Sequence, residues 1–440
     1  MNKQSVKRRR GEEDDGSAIT IHRLSQLPQP ILHNILSLLP QKDAVRTSVL
    51  SKSWRYLWHG RLNVELYDNC FARKNEFWSF VDKTLQRLHY LDITDEIFEK
   101  IISGCPLIEN LDLLYCFFLK SIKLRKHRNI KNFACITLKE IIIEIEEPHI
   151  LESFYIENCC SDWFLRHRNT HFPHLKSLNL NSVQLPETLD NFSSFFPCLN
   201  ELILDSCPGL KEFRLLSSSI KRLTIRTDRV NPGKRINAFI DTPNILYFEY
   251  SGHGFLPSIK FTTTSNEWKS QITLCYEQEY SDNDATSWFL TLNKMLKALS
   301  QSHITLSLDP DEYQKLHIND SYGGFYKPVV VEHLKLRECY SSYFDPAILN
   351  CFFRIFRPCY IHMDSGVARL NLAEYISKLI PDETGCYFWL QDLEEISTEV
   401  GNMEAKEWCC VKGTSLPAAL RSQQQIRYRL TWKEQLSKFT

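Results

Sequence analysis

Cysteine, histidine and acidic side chains are the residues that could support catalysis or bind a metal here, and their spacing favours neither. The chain has 15 cysteines and 14 histidines, but no two cysteines have the C-x-x-C spacing of common zinc sites. Cys159-Cys160 and Cys409-Cys410 are adjacent pairs instead. No phosphate-binding loop, dinucleotide fingerprint, G-x-S-x-G or H-E-x-x-H motif occurs in the sequence. We therefore predict no catalytic residue, no metal site and no cofactor, which leaves binding surfaces as the chemistry to consider.

The bulk composition is that of a globular protein without a dominant charge. Among 440 residues, 43% are hydrophobic, and 53 Lys and Arg balance 53 Asp and Glu, so no global field favours nucleic acid or an anionic membrane. The polar start of the chain contains a basic run, Lys7–Arg10, which is either a nuclear import signal or a solvated charge cluster. No apolar leader and no apolar run of membrane-spanning length occurs. We expect a protein of the nucleus and/or cytoplasm with reduced cysteines.

Residues 21–58 combine short helices with a high density of large apolar side chains. Apolar residues recur at helical spacing after Pro28, Pro40 ends this helix, and Asp43 and Ser51 can cap two more. The residues that we expect at an interface with another polypeptide are Leu27, Pro28, Ile31, Leu32, Ile35, Leu36, Leu39, Val45, Val49, Leu50, Trp54, Leu57 and Trp58. Burying about six such side chains contributes roughly 9–18 kcal/mol, which is comparable to an association cost of about 4–15 kcal/mol. Helices this short can hide only part of that surface, so the rest should pack on the following residues or on a partner protein.

A leucine-type pattern, L-x-x-L-x-L-x-x-C, recurs from about residue 105. Its cleanest copy is Leu199, Leu202, Leu204 and Cys207, and copies starting at 151, 175, 199, 220 and 245 are separated by 24, 24, 21 and 25 residues. Leucine-rich repeats have periods of about 20–29 residues, and their L-x-L segments are short strands that stack into a parallel sheet on a concave face. We therefore predict that the pattern leucines are buried. The cysteines at the ninth position are predicted to be packing residues: Cys116, Cys159, Cys207 and Cys339.

Taken together, the segment Ile21–Trp58 and the repeats resemble plant F-box/leucine-rich-repeat proteins. Nearly every family position of the F-box is matched, and Ser53 stands where the family usually has a basic residue. The resemblance implies an α/β fold: a short all-helical F-box, then a leucine-rich-repeat solenoid with its parallel sheet on the concave face. It also implies that the F-box binds a SKP-family adaptor and, through it, a cullin. The chain would be the non-catalytic substrate-recognition subunit of an SCF-type (SKP-cullin-F-box) ubiquitin ligase. Which apolar residues contact the adaptor and which form the F-box core stays open.

The residues that alternate with the pattern leucines point the other way from a strand, onto the concave face. This surface mixes both charge signs with aromatic rings, which suits a protein ligand better than a phosphate backbone. The predicted target-binding residues are Tyr155, Glu157, Asn179, Asn181, Glu201, Asp205, Arg222, Arg226 and Tyr247. Ordinary solvated strand residues would show the same alternation.

The expected domains are a disordered tail (1–18), the F-box (19–60), a helical linker with an incomplete first repeat (61–104), leucine-rich repeats (105–260), and irregular C-terminal repeats with a cap (261–440). Family members usually carry several more repeats after the F-box helix region. Either a shortened isoform or an imperfect gene model joined near His89 would account for the smaller number of repeats.

Two other functions fit the residues. The chain could be a repeat scaffold that binds proteins without ubiquitination. It could also bind nucleic acid through residues 21–58, which contain five Lys or Arg and one Asp. The apolar third helix, with Trp54, Leu57 and Trp58, argues against a recognition helix.

Overall fold

The computed structural model describes part of the chain, divided between two compact units, Met1–Cys160 and Ser161–Thr440. The described residues are 27–39, 47, 63–67, 94–104, 108–114, 116, 118–124, 129–137, 139–158, 163–167, 169–186, 192–210, 212–227, 236–253, 256–265, 267–275, 285–308, 327–336, 348–363, 388–402, 407–411 and 424–433.

The described residues of the first unit form two helices and two small parallel sheets. Its elements in chain order are α1 (Gln29–Ser37), β1 (Asn63–Tyr67), α2 (Asp95–Gly104), β2 (Asn110–Leu114), β3 (Ser121–Leu124), β4 (Asn132–Ile136), β5 (Ile142–Ile145) and β6 (Ser153–Glu157). One sheet has the order β1-β2-β4-β6, and the other pairs β3 with β5. Asp95, at the start of α2, accepts hydrogen bonds from the backbone N–H groups of Lys120 (2.7 Å) and Ser121 (3.2 Å), which ties the helix to β3.

The second unit is a longer ladder. Among its described residues, the helices are α3 (Trp163–Arg166), α4 (Phe192–Phe195), α5 (Ala285–Ala298) and α6 (Ile348–Phe353), with a 3-10 turn at Phe388–Gln391. Its strands are β7 (Ser177–Asn181), β8 (Glu201–Asp205), β9 (Glu212–Leu216), β10 (Arg222–Arg226), β11 (Asn237–Asp241), β12 (Tyr247–His253), β13 (Ser258–Thr262), β14 (Lys269–Cys275), β15 (His303–Leu308), β16 (Val329–Leu336), β17 (Phe356–Met363), β18 (Leu393–Asn402), β19 (Trp408–Val411) and β20 (Gln424–Trp432).

The main sheet of this unit runs in the order β7-β8-β10-β12-β14-β15-β16-β17-β20-β18-β19, and a second sheet has the order β13-β11-β9. Pairing is parallel from β7 to β17 and antiparallel among β17, β20, β18 and β19. Successive repeats each add a parallel strand to the main sheet, which is the architecture predicted for leucine-rich repeats. The predicted α/β solenoid is therefore confirmed.

The leucine pattern forms the core because its residues stand in register from strand to strand. Leu180 pairs with Leu204, and Leu204 with Ile225. These side chains are at most 1% exposed, whereas the residues between them in β7 and β8 are half-buried. Alternation along each strand thus separates an apolar face, packed inward, from a polar face that stays open.

The parallel ladder continues past residue 261, where the sequence pattern is weak. Strands β15, β16 and β17 add to β14 in register, with Leu306 opposite Leu334 and Leu334 opposite Ile361. Helix α5 contacts strands β13 and β16. Its buried Asn293 donates a hydrogen bond from Nδ2 to the Ile355 carbonyl at 2.9 Å, which satisfies a polar group inside the core.

Sharp turns follow several of the repeat strands. Asn158, Ser182 and Ser206 come directly after β6, β7 and β8, with φ of 54°, 56° and 52°. Within the second unit, Ser182 N donates to the Asp205 carbonyl and Ser206 N to the Arg226 carbonyl. The left-handed conformation therefore recurs at the residue directly after a strand. There the chain turns away from the sheet, while the N–H group of that residue still bonds to the next strand.

Candidate partner-binding surfaces

Helix α1 is the described part of the predicted three-helix segment. Pro28 is its N-cap residue, with φ −55° and ψ 143°, and its carbonyl accepts hydrogen bonds from Ile31 N (2.9 Å) and Leu32 N (3.2 Å). Pro30 lies in the first turn, where a missing N–H group costs nothing. The helix ends at Ser37, and Leu38 N returns to the carbonyls of the last turn.

The apolar residues of α1 divide into two faces. Leu32 and Leu36 are 3% and 0% exposed and form a small core, against which Leu27, Ile35 and Leu39 pack partly buried. Ile31 and Leu38 are 45% and 85% exposed. They are seven residues apart, which places them on one side of the helix. The structure therefore separates core from open surface within α1, a division that the sequence left open.

Seven of the thirteen predicted adaptor-binding residues fall in this helix and its flanks, and Pro28 is exposed beside Ile31. Leu38 was not among the predicted residues, although its i, i+7 relation to Ile31 could have identified it. The remaining six predicted residues lie outside the described residues: Val45, Val49, Leu50, Trp54, Leu57 and Trp58.

The nine predicted target-binding residues all lie on the polar faces of repeat strands. Tyr155 and Glu157 are on β6 in the first unit, where they hydrogen-bond to each other through the phenol and a carboxylate oxygen. The other seven are on β7, β8, β10 and β12 in the second unit, and parallel pairing brings them into rows. Arg222 and Arg226 are exposed and the rest are half-buried.

The first row of the second unit joins Ser177, Glu201, Arg222 and Tyr247. Ser177 Oγ donates to Glu201 Oε2 at 3.1 Å, and Arg222 Nε lies 3.4 Å from Glu201 Oε1. The Arg222 guanidinium also stacks over the Tyr247 ring, 4.9 Å from its centroid. This cross-strand chain holds four side chains in place on a surface that solvent reaches.

Asp205 and Arg226 face each other in a further row, towards the C-terminal ends of β8 and β10. Glu249 of β12 joins this row to Tyr247 of the first row. Arg226 donates to Glu249 Oε1 from Nη2 (3.0 Å) and Nε (3.2 Å), and it also lies 3.9 Å from Asp205. Tyr247 Oη lies 3.2 Å from Glu249 Oε2 and 3.1 Å from Gln271 Oε1. Partial burial, with the neighbouring Glu249 carboxylate, raises the pKa of Tyr247. The phenol therefore stays a proton donor at neutral pH.

Beyond β14 the polar face carries histidines that the sequence analysis did not select. His303 Nδ1 lies 2.8 Å from Glu332 Oε2, and His362 Nε2 lies 3.1 Å from His333 Nδ1. Burial lowers the pKa of His333, and it lowers the pKa of His362 to about 3, with nearby positive charges adding to the effect. These two histidines are therefore neutral at physiological pH.

Arg427 of β20 lies on this part of the polar face, in contact with two aromatic rings. Its guanidinium lies between the rings of Trp408 and Tyr360, 4.1 Å and 4.5 Å from their centroids, and Nε donates to Glu399 at 2.5 Å. The sequence marks the histidines and Arg427 only by the alternation of polar and apolar residues in β15 and β20. The side chains that contact them come from distant parts of the chain.

Of the four ninth-position cysteines, Cys116 and Cys207 are 2% and 6% exposed, while Cys159 and Cys339 lie outside the described residues. Cys207 Sγ lies 3.2 Å from the Leu180 carbonyl and 3.3 Å from the Asp205 carbonyl. Burial raises the pKa of this thiol to about 12. Cys207 is thus a packed thiol that bonds two carbonyls of adjacent repeats.

Among the residues that the structure describes, no group of three or more His, Cys, Asp or Glu side chains is placed to hold a metal ion. In the same residues, no helix has the length and apolar character needed to cross a membrane.

Comparison with known proteins gives a domain match and many relatives. The F-box domain matches residues 24–64, which include α1. An F-box/FBD/LRR-repeat protein of Arabidopsis thaliana is 32% identical over 247 residues, covering 51% of this chain and 53% of its own length. A putative F-box/FBD/LRR-repeat protein of the same plant is 29% identical over 251 residues (53% and 54%), and an F-box/LRR-repeat protein is 26% identical over 256 residues (52% and 40%).

The chain spans about half the length of these curated relatives. No solved structure matches it significantly. The F-box match, the parallel repeat strands and these relatives confirm the predicted resemblance to plant F-box/leucine-rich-repeat proteins.

Proposed function

We propose that this protein is the substrate-recognition subunit of an SCF-type ubiquitin ligase. In this role the F-box binds a SKP-family adaptor and, through it, a cullin, while the polar faces of the repeat strands bind the protein to be ubiquitinated. The chain supplies binding surfaces, and other subunits carry out the transfer of ubiquitin. We also propose that it acts in the nucleus and/or cytoplasm, which imaging of a fluorescent fusion would test.

One observation carries the proposal. Within the F-box match, α1 exposes Ile31 and Leu38 while Leu32 and Leu36 already fill its inward side. Only five large hydrophobic side chains are exposed among the described residues, and two of them are these. Covering the exposed part of both with a partner contributes about 2–4 kcal/mol, a substantial share of a specific interface. An apolar pair left exposed on a helix whose other large apolar residues are buried or partly buried favours a docking surface for another polypeptide.

Co-purification of the adaptor tests this surface. The double variant Ile31→Ser with Leu38→Ser removes the open apolar pair and leaves Leu32 and Leu36 in place. We expect the loss of most SKP-family adaptor binding, with an unchanged circular dichroism spectrum. Phe118→Ser with Ile142→Ser is the matched control, because these side chains are 50% and 37% exposed in the same unit. Full adaptor binding by the α1 variant would refute the proposal.

A repeat scaffold without ubiquitination is the second candidate. It is favoured by the polar-face networks on β7–β12, which would serve a binding partner whether or not ubiquitin follows. Cullin co-precipitation separates the two functions. Retained adaptor binding without any cullin would support the scaffold, and recovery of cullin through the adaptor would support the ligase subunit.

A further inference from the structure

A groove lies along the N-terminal ends of the strands in the second unit, outside the rows already described. We call it the N-edge groove and define it by Lys176, Lys221, Leu246 and Lys269, together with the first-row residues Glu201 and Arg222. Its volume is about 710 Å³ where Lys176, Lys221 and Leu246 line it. Small side chains border it, including Ser218, Ser219 and Ser265, and leave its surface open.

The backbone fixes the spacing of these side chains. The Lys176 carbonyl accepts hydrogen bonds from Asn200 N and Glu201 N, and the Lys221 carbonyl accepts from Leu246 N and Tyr247 N. Lys176 and Lys221 therefore occupy the same level of the ladder, two strands apart. Strand spacing puts their backbones roughly 10 Å from each other, close to the length of three residues of an extended peptide.

The charge of the groove differs from that of the chain. Lys176, Lys221, Lys269 and Arg222 line it with one carboxylate, Glu201, so four positive charges and one negative give a local charge of +3. The chain as a whole has a formal net charge of zero. Arg222 and Glu201 form an ion pair with each other, so their two charges offset.

Leu246 adds an apolar element in the middle of this charge. It is 52% exposed, and it is the one large hydrophobic residue in the exposed class among the described residues of the second unit. Its neighbour in the ladder is Lys221, and its carbonyl accepts the Lys269 N–H group. An exposed leucine between lysines suits a ligand that brings one apolar side chain together with carboxylates.

We propose that the N-edge groove binds a short acidic segment of the target protein, extended across the strands, with one apolar side chain on Leu246 and carboxylates beside Lys176, Lys221 and Lys269. This inference rests on the proposed function, because it names the kind of segment that the receptor takes from its target. A nucleic-acid backbone fits less well, since nothing in it would cover Leu246.

Selection from a displayed library of random nine-residue peptides tests the proposal and does not require the target to be identified. The bait is the full chain, and the adaptor is added only in a separate capture step. We expect the enriched peptides to share two or more acidic residues around one apolar residue, and their binding to weaken as salt rises from 50 to 500 mM. Enriched peptides without an acidic bias, or single-stranded DNA that binds more tightly than any of them, would overturn it.

Two variants locate the peptides on the groove. Lys176→Gln, Lys221→Gln and Lys269→Gln together should weaken the selected peptides by about tenfold or more, and Leu246→Ser alone should weaken them several-fold. The matched control is Lys260→Gln, Lys294→Gln and Lys327→Gln, three exposed lysines of the same unit outside the groove. Equal losses in the two triple variants would show a general charge effect and refute the site.

Adaptor capture is measured on the same samples. The groove variants should bind the adaptor normally, because α1 is unchanged in them. If acidic peptides bind the groove but no sample captures the adaptor, the proposed function is refuted and the groove proposal is supported. If the adaptor is captured and no acidic peptide is enriched, the groove proposal fails by itself.

Discussion

Two stretches of the main sheet in the second unit share a core but differ in how their polar faces are held. In β7–β12, the arginines that join the rows remain exposed, with 59% of the Arg222 side chain and 45% of the Arg226 side chain open to solvent. In β15–β20, Arg427 and Glu399 are 17% and 11% exposed, enclosed by Trp408 and Tyr360. The same ladder therefore presents solvated ion pairs at one end, where a ligand can compete for them, and enclosed polar contacts at the other.

This difference assigns separate roles to the two stretches. Exposed pairs contribute little to stability, because water and salt screen them. Enclosed pairs matter more, since removing one partner leaves a charge without solvation. The β7–β12 face can thus exchange its internal ion pairs for contacts with a partner. The β15–β20 face instead keeps its ion pair enclosed, and this pair is better suited to stabilising its end of the sheet.

The shared core predicts the largest effect. Leu204 and Leu334 are 1% and 0% exposed, one in each stretch. Leu204→Ala and Leu334→Ala should each lower the free energy of unfolding by about 2–5 kcal/mol, because each leaves a cavity in a packed interior. Urea denaturation followed by tryptophan fluorescence measures both. A cost below about 1 kcal/mol for Leu334→Ala would mean that the later strands lack the core that we describe.

The arginines test the contrast itself. Arg427→Gln removes a partly buried ion pair and two ring contacts, and we expect it to destabilise the protein by about 2 kcal/mol. Arg226→Gln is the matched change on the exposed face, with an expected cost of less than about 1 kcal/mol. The same denaturation assay compares them, and similar costs for the two variants would remove the distinction between the stretches.

Cys207 sharpens the picture of the regular repeats. Cys207→Ala removes the thiol that bonds the Leu180 and Asp205 carbonyls, so a loss of about 1–2 kcal/mol is expected. Cys198→Ala, at an exposed position, should change stability by less than about 0.5 kcal/mol.

Alkylation of the unmodified protein gives an independent check. The pKa of about 12 leaves Cys207 almost entirely protonated at pH 8. Mass spectrometry after brief iodoacetamide treatment should find Cys198 modified and Cys207 intact. Rapid modification of Cys207 in the native protein would contradict its packed position.

The last prediction is a pH dependence of stability that belongs to β15–β20. His362 has a folded-state pKa of about 3, whereas an unfolded histidine has a pKa of about 6.5. Between these values the unfolded chain binds more protons than the folded one, so His362 lowers stability as the pH falls from about 6.5 towards 3. Burial is the main cause, and the charges of Lys335 and Arg427 add to it, as does His333 when protonated.

Replacing this histidine should flatten the profile. His362→Gln is expected to reduce the slope of unfolding free energy against pH in that window, and NMR should show the His362 ring neutral at pH 5. The control is His303→Gln, at a more exposed position, which should leave more of the slope in place. An unchanged slope in the His362 variant would place the pH dependence elsewhere.

The sequence predicted one end of this comparison well and the other poorly. Leu199, Leu202 and Leu204 repeat at fixed offsets, so strand, buried face and parallel order all followed from the pattern. The partners of Arg427 did not, because Glu399 and Trp408 come from strands joined by antiparallel pairing, for which the leucine period gives no information. Strand β16 shows the same limit. Val331, Leu334 and Leu336 have the spacing of the leucine pattern, but this spacing does not give the strand's place between β15 and β17.

Residue types and their spacing alone determined that the chain carries an F-box segment followed by leucine-rich repeats, because leucines at a fixed offset give every repeat the same apolar face, which stacking of like repeats then buries. The tertiary structure decided which apolar residues remain uncovered. On α1 that is Ile31 and not Leu36, and beside β12 it is Leu246, standing between lysines that come from different repeats. Exposure depends on what packs against a side chain from elsewhere, and no local pattern contains that information.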